Sequence, residues 1–334
     1  MTLPLLLVGA LLSLVVRAEQ PVWLSQLKGN TSVPFGTIIT KCTVANTFAL
    51  TFDDGPFDFT PGLLKTLREQ GAKATFFVNG DNLSKIEDQR CVLRQMVSEG
   101  HQIGSHGFQH KDLSLLDDRG IVKQIIKLEA KLLDPSSIQM APTYMRPPFF
   151  STDDRVLAVM KRLEYHVVQA DVDTKDFEFK TEDVIGPAVT SFQQGLGSGG
   201  SISLMHDING PTVSKLVPEA LKMLKKQGKK LVTVGECLGD PPKNWYRVKD
   251  GTKDSSLNCT LCKDEKNGKT TVRRDEIPLD AHTADKGSDE PNRTGKSARA
   301  GKSRGGYSIR SQLDSAGDSL LAENSNYIRG LIRQ

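Results

Sequence analysis

The sequence predicts an α/β fold in which parallel strands are covered on the outside by helices, and three observations carry that expectation. From about Cys42 to Leu238, short apolar runs of strand length alternate with amphipathic stretches of helical length. The links between them are short, and two of the helices end on Gly71 and Gly100, residues suited to a left-handed cap. After about Asp250 the composition turns to Gly, Ser, Asp, Lys and Arg, as in Ala298-Arg299-Ala300-Gly301-Lys302-Ser303-Arg304-Gly305-Gly306. Such a segment buries too little apolar surface to offset its ordering entropy. Open sheets and closed barrels share the strand-helix alternation, and periodicity does not separate them.

The elements follow in order. Leu3 to Val16 is an almost unbroken apolar run ending at Arg17-Ala18, and it reads as a secretory signal peptide over residues 1–18. It is too short to span a bilayer comfortably, so no transmembrane segment is expected. Residues 19–41 form an N-terminal extension. Phe48–Phe52 reads as a strand, Leu63–Glu69 as a helix, Ala74–Val78 as a strand and Cys91–Glu99 as a helix. A helix over Ile121–Leu133 follows, then strands near Tyr144 and Val167. Ser201–Met205 reads as a strand, Lys215–Lys226 as a helix and Lys230–Val234 as a last strand. The domain is therefore placed at 42–240, with a linker and disordered tail over 241–334.

The 334 residues carry a formal net charge of +4, too small to argue for nucleic acid, and no basic stripe interleaves with aromatics. A secretory route permits disulfides among the five cysteines. It also permits glycans at the triplets starting at Asn30, Asn82, Asn258 and Asn292.

Five clusters carry the chemistry, each where a predicted strand gives way to a loop. Thr51-Phe52-Asp53-Asp54-Gly55-Pro56 ends the first strand. Neighbouring strand residues point to opposite faces, and an unpaired carboxylate in a core is costly. The immediate Gly-Pro turn lets both carboxylates sit at the strand mouth, one to bind metal and one to take a proton, although Asp-Gly is also ordinary turn chemistry. His106-Gly107-Phe108-Gln109-His110 places two imidazoles four apart; in a helix they would share one face and one metal. Asp, His, His and water is the open arrangement of catalytic zinc sites, and two surface histidines are the plain alternative. His101, His166 and His282 have no such context and read as structural or solvated.

Arg146-Pro147-Pro148-Phe149 is held rigid and extended by its prolines, which could fix an arginine beside a carboxylate. Asp171-Val172-Asp173-Thr174-Lys175-Asp176-Phe177 follows a strand with three carboxylates. In Leu204-Met205-His206-Asp207, a histidine ends an apolar strand. Five clusters at one rim point to a site, because α/β folds place their sites there.

The five clusters, in this order over roughly residues 40–240, resemble the motifs of the polysaccharide deacetylases of the NodB-homology type, carbohydrate esterase family four. The phrases Cys42-Thr43-Val44-Ala45-Asn46 and Val234-Gly235-Glu236-Cys237-Leu238-Gly239-Asp240 look like fungal secreted chitin deacetylases in particular. The resemblance implies a distorted (β/α) barrel with fewer than eight strand-helix units. It implies Asp53 as general base, and Asp54, His106 and His110 as ligands of one divalent ion, zinc or cobalt. Arg146 would orient Asp53, and His206 would be the general acid, supported by Asp176 rather than Asp173. Phe149, through its amide, Phe177 and Leu204 would meet the substrate.

Three positions depart from the family pattern. Gly107 stands where Ser or Thr is common, Phe149 where Tyr is, and Phe177 where Trp is. The first weakens the expected support for the ligand loop, and the last reshapes an aromatic wall of the acetyl pocket. No reacting group is lost.

In such a barrel Cys42, before the first strand, neighbours Cys237, after the last, so a disulfide between them is expected. It would contribute over about 4 kcal/mol in the chain-entropy model. Cys259 and Cys262 could pair locally, or one of them could reach Cys91. The implied activity is removal of acetyl groups from chitin or its oligomers by a secreted monomer acting on a polysaccharide. Peptidoglycan or acetylxylan as substrate, and a chitin-binding protein without turnover, are the alternatives.

Overall fold

The computed structural model describes residues 31–248. The signal peptide, Asn30, Asn258, Asn292, His282, Cys259 and Cys262 all lie outside the described residues, as does the tail beyond 248. Twelve strands run in chain order: β1 Ile38–Ile39, β2 Thr47–Phe48, β3 Leu50–Asp53, β4 Ala74–Val78, β5 Gln102–Ser105, β6 Met140–Pro142, β7 Tyr144–Met145, β8 His166–Val168, β9 Val172–Asp173, β10 Ser203–His206, β11 Lys230–Leu231 and β12 Tyr246–Val248. Seven α-helices accompany them: α1 Thr60–Glu69, α2 Arg90–Ser98, α3 Asp118–Leu132, α4 Asp154–Arg162, α5 Gly186–Gly197, α6 Val217–Lys226 and α7 Val234–Cys237.

Eight strands form one sheet in the order β1-β8-β7-β5-β4-β3-β10-β9, and every pair in it is parallel. Chain connectivity forces this sheet to curl. Strands β8 and β9 are joined by residues 169–171 alone, a link that reaches about 14 Å fully extended. They stand second and last in the strand order, which in a flat sheet would separate them by about 29 Å. The sheet therefore bends round on itself into the distorted barrel that the family resemblance implies.

Burial explains the composition of the central strands. Every residue of β3 and β4 is buried, as expected where helices cover one face and the barrel interior the other. Phe52 and Phe76 stack on adjacent strands with ring centroids 5.4 Å apart. Helix α1 lays Leu63, Leu64 and Leu67 onto this core. Gly71 and Gly100 adopt the left-handed conformation expected of them, with φ of 63° and 78°. Asp117 and Asp153 cap α3 and α4 by accepting bonds from the amides of Gly120 and Val156. Cys42 and Cys237 form the expected disulfide, their Cα atoms 4.9 Å apart. Cys91 is also disulfide-bonded.

Several expectations need correction. Helices α4 and α5 were not resolved by periodicity. The last strand, expected over Lys230–Val234, is confined to Lys230–Leu231, and Val234 instead opens α7, where Thr233 and Glu236 make a capping box. Strand β1, inside the expected N-terminal extension, is an edge of the main sheet.

The ordered body also runs past the boundary expected at 240. Strand β12 pairs antiparallel with β6, and Trp245 and Arg247 are buried. The Arg247 guanidinium donates to Glu129 Oε1 at 3.1 Å and to two backbone carbonyls of residues 163 and 164. The Tyr165 hydroxyl donates to the same Glu129 oxygen. A buried carboxylate without its partner is costly, so Arg247→Met should lower the unfolding free energy by about 3–5 kcal/mol in urea denaturation. Adding Glu129→Gln, which keeps an acceptor for Tyr165, should recover a good part of that loss.

Candidate active site

The parallel register brings the C-terminal ends of the strands to one rim. Asp53 ends β3 and His206 ends β10, and the two are direct neighbours across the sheet. His106 follows β5 and Arg146 follows β7, whose last residues, Ser105 and Met145, also pair. Five clusters scattered over about 150 positions thus face one another because neighbouring strands end together.

Asp54, His106 and His110 converge. One ligand atom from each lies within 4.8 Å of the others, with Asp54 Oδ1 3.5 Å from His106 Nε2 and 3.2 Å from His110 Nε2. His106 Nδ1 lies 2.7 Å from the Arg146 carbonyl. A carbonyl only accepts, so Nδ1 carries the proton and the Nε2 lone pair is directed to the cluster. One carboxylate oxygen and two neutral imidazoles form a donor set that fits a zinc-like divalent ion with positions left for water.

The expected helix between the two histidines is absent. Residues 106–110 form a loop, turned by left-handed Gly107 and His110 with φ of 75° and 51°. Its support comes from Asn79, whose amide donates to the carbonyls of His106 and Gly107 at 2.7 and 3.0 Å. Sequence reasoning missed Asn79, although its place just after the apolar strand β4 matches that of the other rim residues. This support, together with the Arg146 carbonyl, holds the loop without a hydroxyl at position 107.

Beside the cluster, Arg146 is fully buried. It donates to Asp53 Oδ1 at 2.8 Å, to the Thr51 hydroxyl at 2.6 Å and to the carbonyls of Val168 and Gln169. Its guanidinium also lies over the Phe77 ring, 4.3 Å from the centroid. One carboxylate is thereby fixed by Arg146 while its sequence neighbour, Asp54, turns to the histidines through a left-handed backbone with φ of 76°.

Across from this pair, His206 Nδ1 meets Asp176 Oδ1 at 2.8 Å, and the other Asp176 oxygen accepts from the His206 amide and the Thr212 hydroxyl. Asp173 is exposed and accepts from the Lys175 amide instead. Burial works against a charged imidazole at His206. The adjacent Asp176 carboxylate, with Asp54 and Asp53 beyond it, outweighs burial and pushes the pKa up to about 10. Asp207, the next residue, is buried; burial, aided by Asp54 and opposed by the Thr60 hydroxyl, pushes its carboxyl up to about 7.

Aromatic rings flank the rim on both sides. Phe149, 57% exposed, packs edge-on against His110, and Phe177 packs edge-on against His206. Leu204 is buried two residues before His206 and so shares its side of β10. His101 and His166 are buried structural residues; burial and Lys73 push His101 down to about 4.

A curled parallel sheet with a carboxylate-imidazole cluster at its C-terminal rim defines an α/β barrel with a candidate metal site. A profile of the family described as polysaccharide deacetylase matches residues 40–168. A chitin deacetylase of Pestalotiopsis sp is 54% identical over 216 residues, 65% of this chain and 72% of that protein. A chitin deacetylase of Arthroderma benhamiae is 48% identical over 216 residues, again 65% of this chain but 58% of that longer protein. The solved structure of the chitin deacetylase from the fungal pathogen Colletotrichum lindemuthianum superimposes with a TM-score of 0.61 at 40% identity, covering 64% of this chain and 96% of that one. The chain belongs to the polysaccharide deacetylase family.

The His206–Asp176 pair has a measurable signature. The folded pKa lies above the unfolded 6.5, so the stability supplied by charged His206 is complete below about 6.5 and is lost as pH rises through about 10. In the metal-free protein, Asp176→Asn should move the His206 titration seen by NMR to lower pH. It should also flatten the fall in stability across that window.

Proposed function

We propose that this protein hydrolyses the N-acetyl groups of N-acetylglucosamine units in chitin or chitooligosaccharides, releasing acetate and leaving glucosamine. The observation that carries this reading is a pair of proton-handling groups, Asp53 held by Arg146 and His206 held by Asp176, on neighbouring strand ends beside an Asp-His-His cluster. The relatives named above as chitin deacetylases support the choice of substrate.

Asp54, His106 and His110 would hold the cation, zinc or cobalt, which when bound supplies Lewis acidity that lets water ionise near neutral pH. Asp53 takes the proton of the attacking water, and its Oδ1 bond to Arg146 fixes the direction of the free oxygen. The Phe149 amide donates to the oxyanion that develops on the acetamide oxygen. An amine leaves poorly until protonated. His206, kept charged by Asp176, delivers that proton to the nitrogen. Phe177 and Leu204, on the His206 side, form the wall against the acetyl methyl. A protein that only bound chitin would need neither Asp53 nor His206.

We infer a secreted, glycosylated protein acting outside the cell or at its wall, in line with the apolar leader and the exposed Asn82 sequon. Among the described residues, no helix is long and apolar enough to cross a membrane.

Acetate release from chitin oligomers tests the reading. Asp53→Asn should lower kcat by about 10²–10⁴-fold with little change in oligomer binding. A chelator should abolish turnover, and added zinc or cobalt should restore it. Silence on every N-acetylglucosamine oligomer at saturating metal sinks the proposal. Acetate from xylan or peptidoglycan with chitin inert redirects it to another polymer.

A further inference from the structure

Asp207 has no part in the chemistry above, yet its carboxylate is among the most enclosed groups at the rim, with a relative exposure of 1%. It lies flush against the backbone of Gly55, the residue after Asp54. A Cβ on Gly55 would come within 2.2 Å of Oδ2 and 2.3 Å of Oδ1 of Asp207, so no side chain fits there. From the far side, the Thr60 hydroxyl donates to Asp207 Oδ2 at 2.5 Å and itself accepts the amide of Phe57 at 2.8 Å. Thr60 opens α1. Oδ1 of Asp207 is buried and has no hydrogen bond from another residue's side chain.

These contacts close a loop of constraints around the turn from β3 into α1. Asp207 extends from the end of β10, the strand paired with β3 through the His206 and Asp53 register. Its carboxylate fills the space beneath Gly55 and is fastened by Thr60 to the start of α1. Asp54 immediately precedes Gly55, and its left-handed backbone, with φ of 76°, is uncommon for a residue that carries a side chain. The contacts beneath Gly55 therefore bear on the backbone that turns the Asp54 carboxylate toward His106 and His110.

We propose that Asp207 is a positioning residue for the cation site. Wedged under Gly55 and clamped by Thr60, it holds the Asp54 carboxylate at the distance from His106 and His110 that a divalent ion requires. The proposal rests on the reading of Asp54, His106 and His110 as cation ligands. It assigns the role to the shape and hydrogen bonding of the Asp207 side chain, which a neutral isostere retains.

The test titrates metal-free protein with Co(II), reading the visible ligand-field bands and the affinity in competition with a chelator. Asp207→Ala should weaken binding by about 10–100-fold and shift the bands, while Asp207→Asn, which refills the space and keeps an acceptor for Thr60, should stay within about threefold. If Asp207→Ala does not fold, Thr60→Val removes the clamp hydroxyl alone and should weaken binding by about 3–10-fold. Unchanged affinity and bands in Asp207→Ala, or in Thr60→Val where that variant stands in for it, overturn the proposal. So does an equal loss in Asn and Ala, because the charge rather than the placement would then be responsible. His106→Ala binding Co(II) as the wild type does would instead overturn the reading of the cation site itself.

Discussion

The buried Arg146 guanidinium is the contact on which the rim depends. It sits inside the curled sheet with no exposure to water and reaches β3 through Thr51 and Asp53, and the end of β8 through the Val168 and Gln169 carbonyls. A buried charge of this kind persists only when its donors are met, and here side chains and carbonyls meet them. The main chain of the same residue supplies the carbonyl that sets the His106 tautomer. One residue therefore fixes a carboxylate with its side chain and a candidate cation ligand with its backbone. The side chain that links those two functions is held in one conformation by its burial and its hydrogen bonds.

That arrangement explains how two adjacent aspartates do different work. Asp53 remains in strand register with His206 and receives the Arg146 bond. Asp54 leaves the strand through a left-handed backbone and joins the histidines. The same device recurs at His110, Phe149 and Phe150, all non-glycine residues with φ between 51° and 59°. Such conformations cost on the order of 1–3 kcal/mol each and persist where surrounding structure holds them. Here they gather where strands end and loops begin, while the strands themselves carry the apolar core that offsets the cost.

The sequence made the reacting residues legible because each is a polar residue ending an apolar run, a pattern with a direct physical reading. Of their supports, Arg146 and Asp176 were legible through the family resemblance and the rest were not. Asn79, Thr51, Thr60 and Asp207 are single polar residues whose partners lie up to about 150 positions away, and only the strand order brings them together. The spacing of His106 and His110 was informative about shared ligation but misleading about backbone, because a loop with two left-handed residues brings the rings together as well as a helical turn does. Curling of the sheet was equally hidden from periodicity. It follows from the three-residue link between strands at opposite positions in the order, and strand order is a tertiary property. Arg247 was lost in a polar stretch, since nothing local distinguishes it from a solvated arginine.

Charge burial ties the fold to the chemistry. Three of the buried ionic contacts among the described residues show how: Arg146–Asp53, His206–Asp176 and Arg247–Glu129. Each is of limited net benefit to stability, since desolvation consumes most of the attraction, but each is expensive to leave half-made. The first two lie at the rim and hold the proposed base and acid. The third lies away from it and fastens the last strand, so the three differ in what they preserve. At Arg247–Glu129 the preserved property is chain placement, and a well-packed apolar pair of similar volume could replace it. At Arg146–Asp53 it is the direction of the proposed base, and at His206–Asp176 the charge and direction of the proposed acid, which no apolar pair can supply. The desolvation cost at the rim is thus the physical counterpart of function.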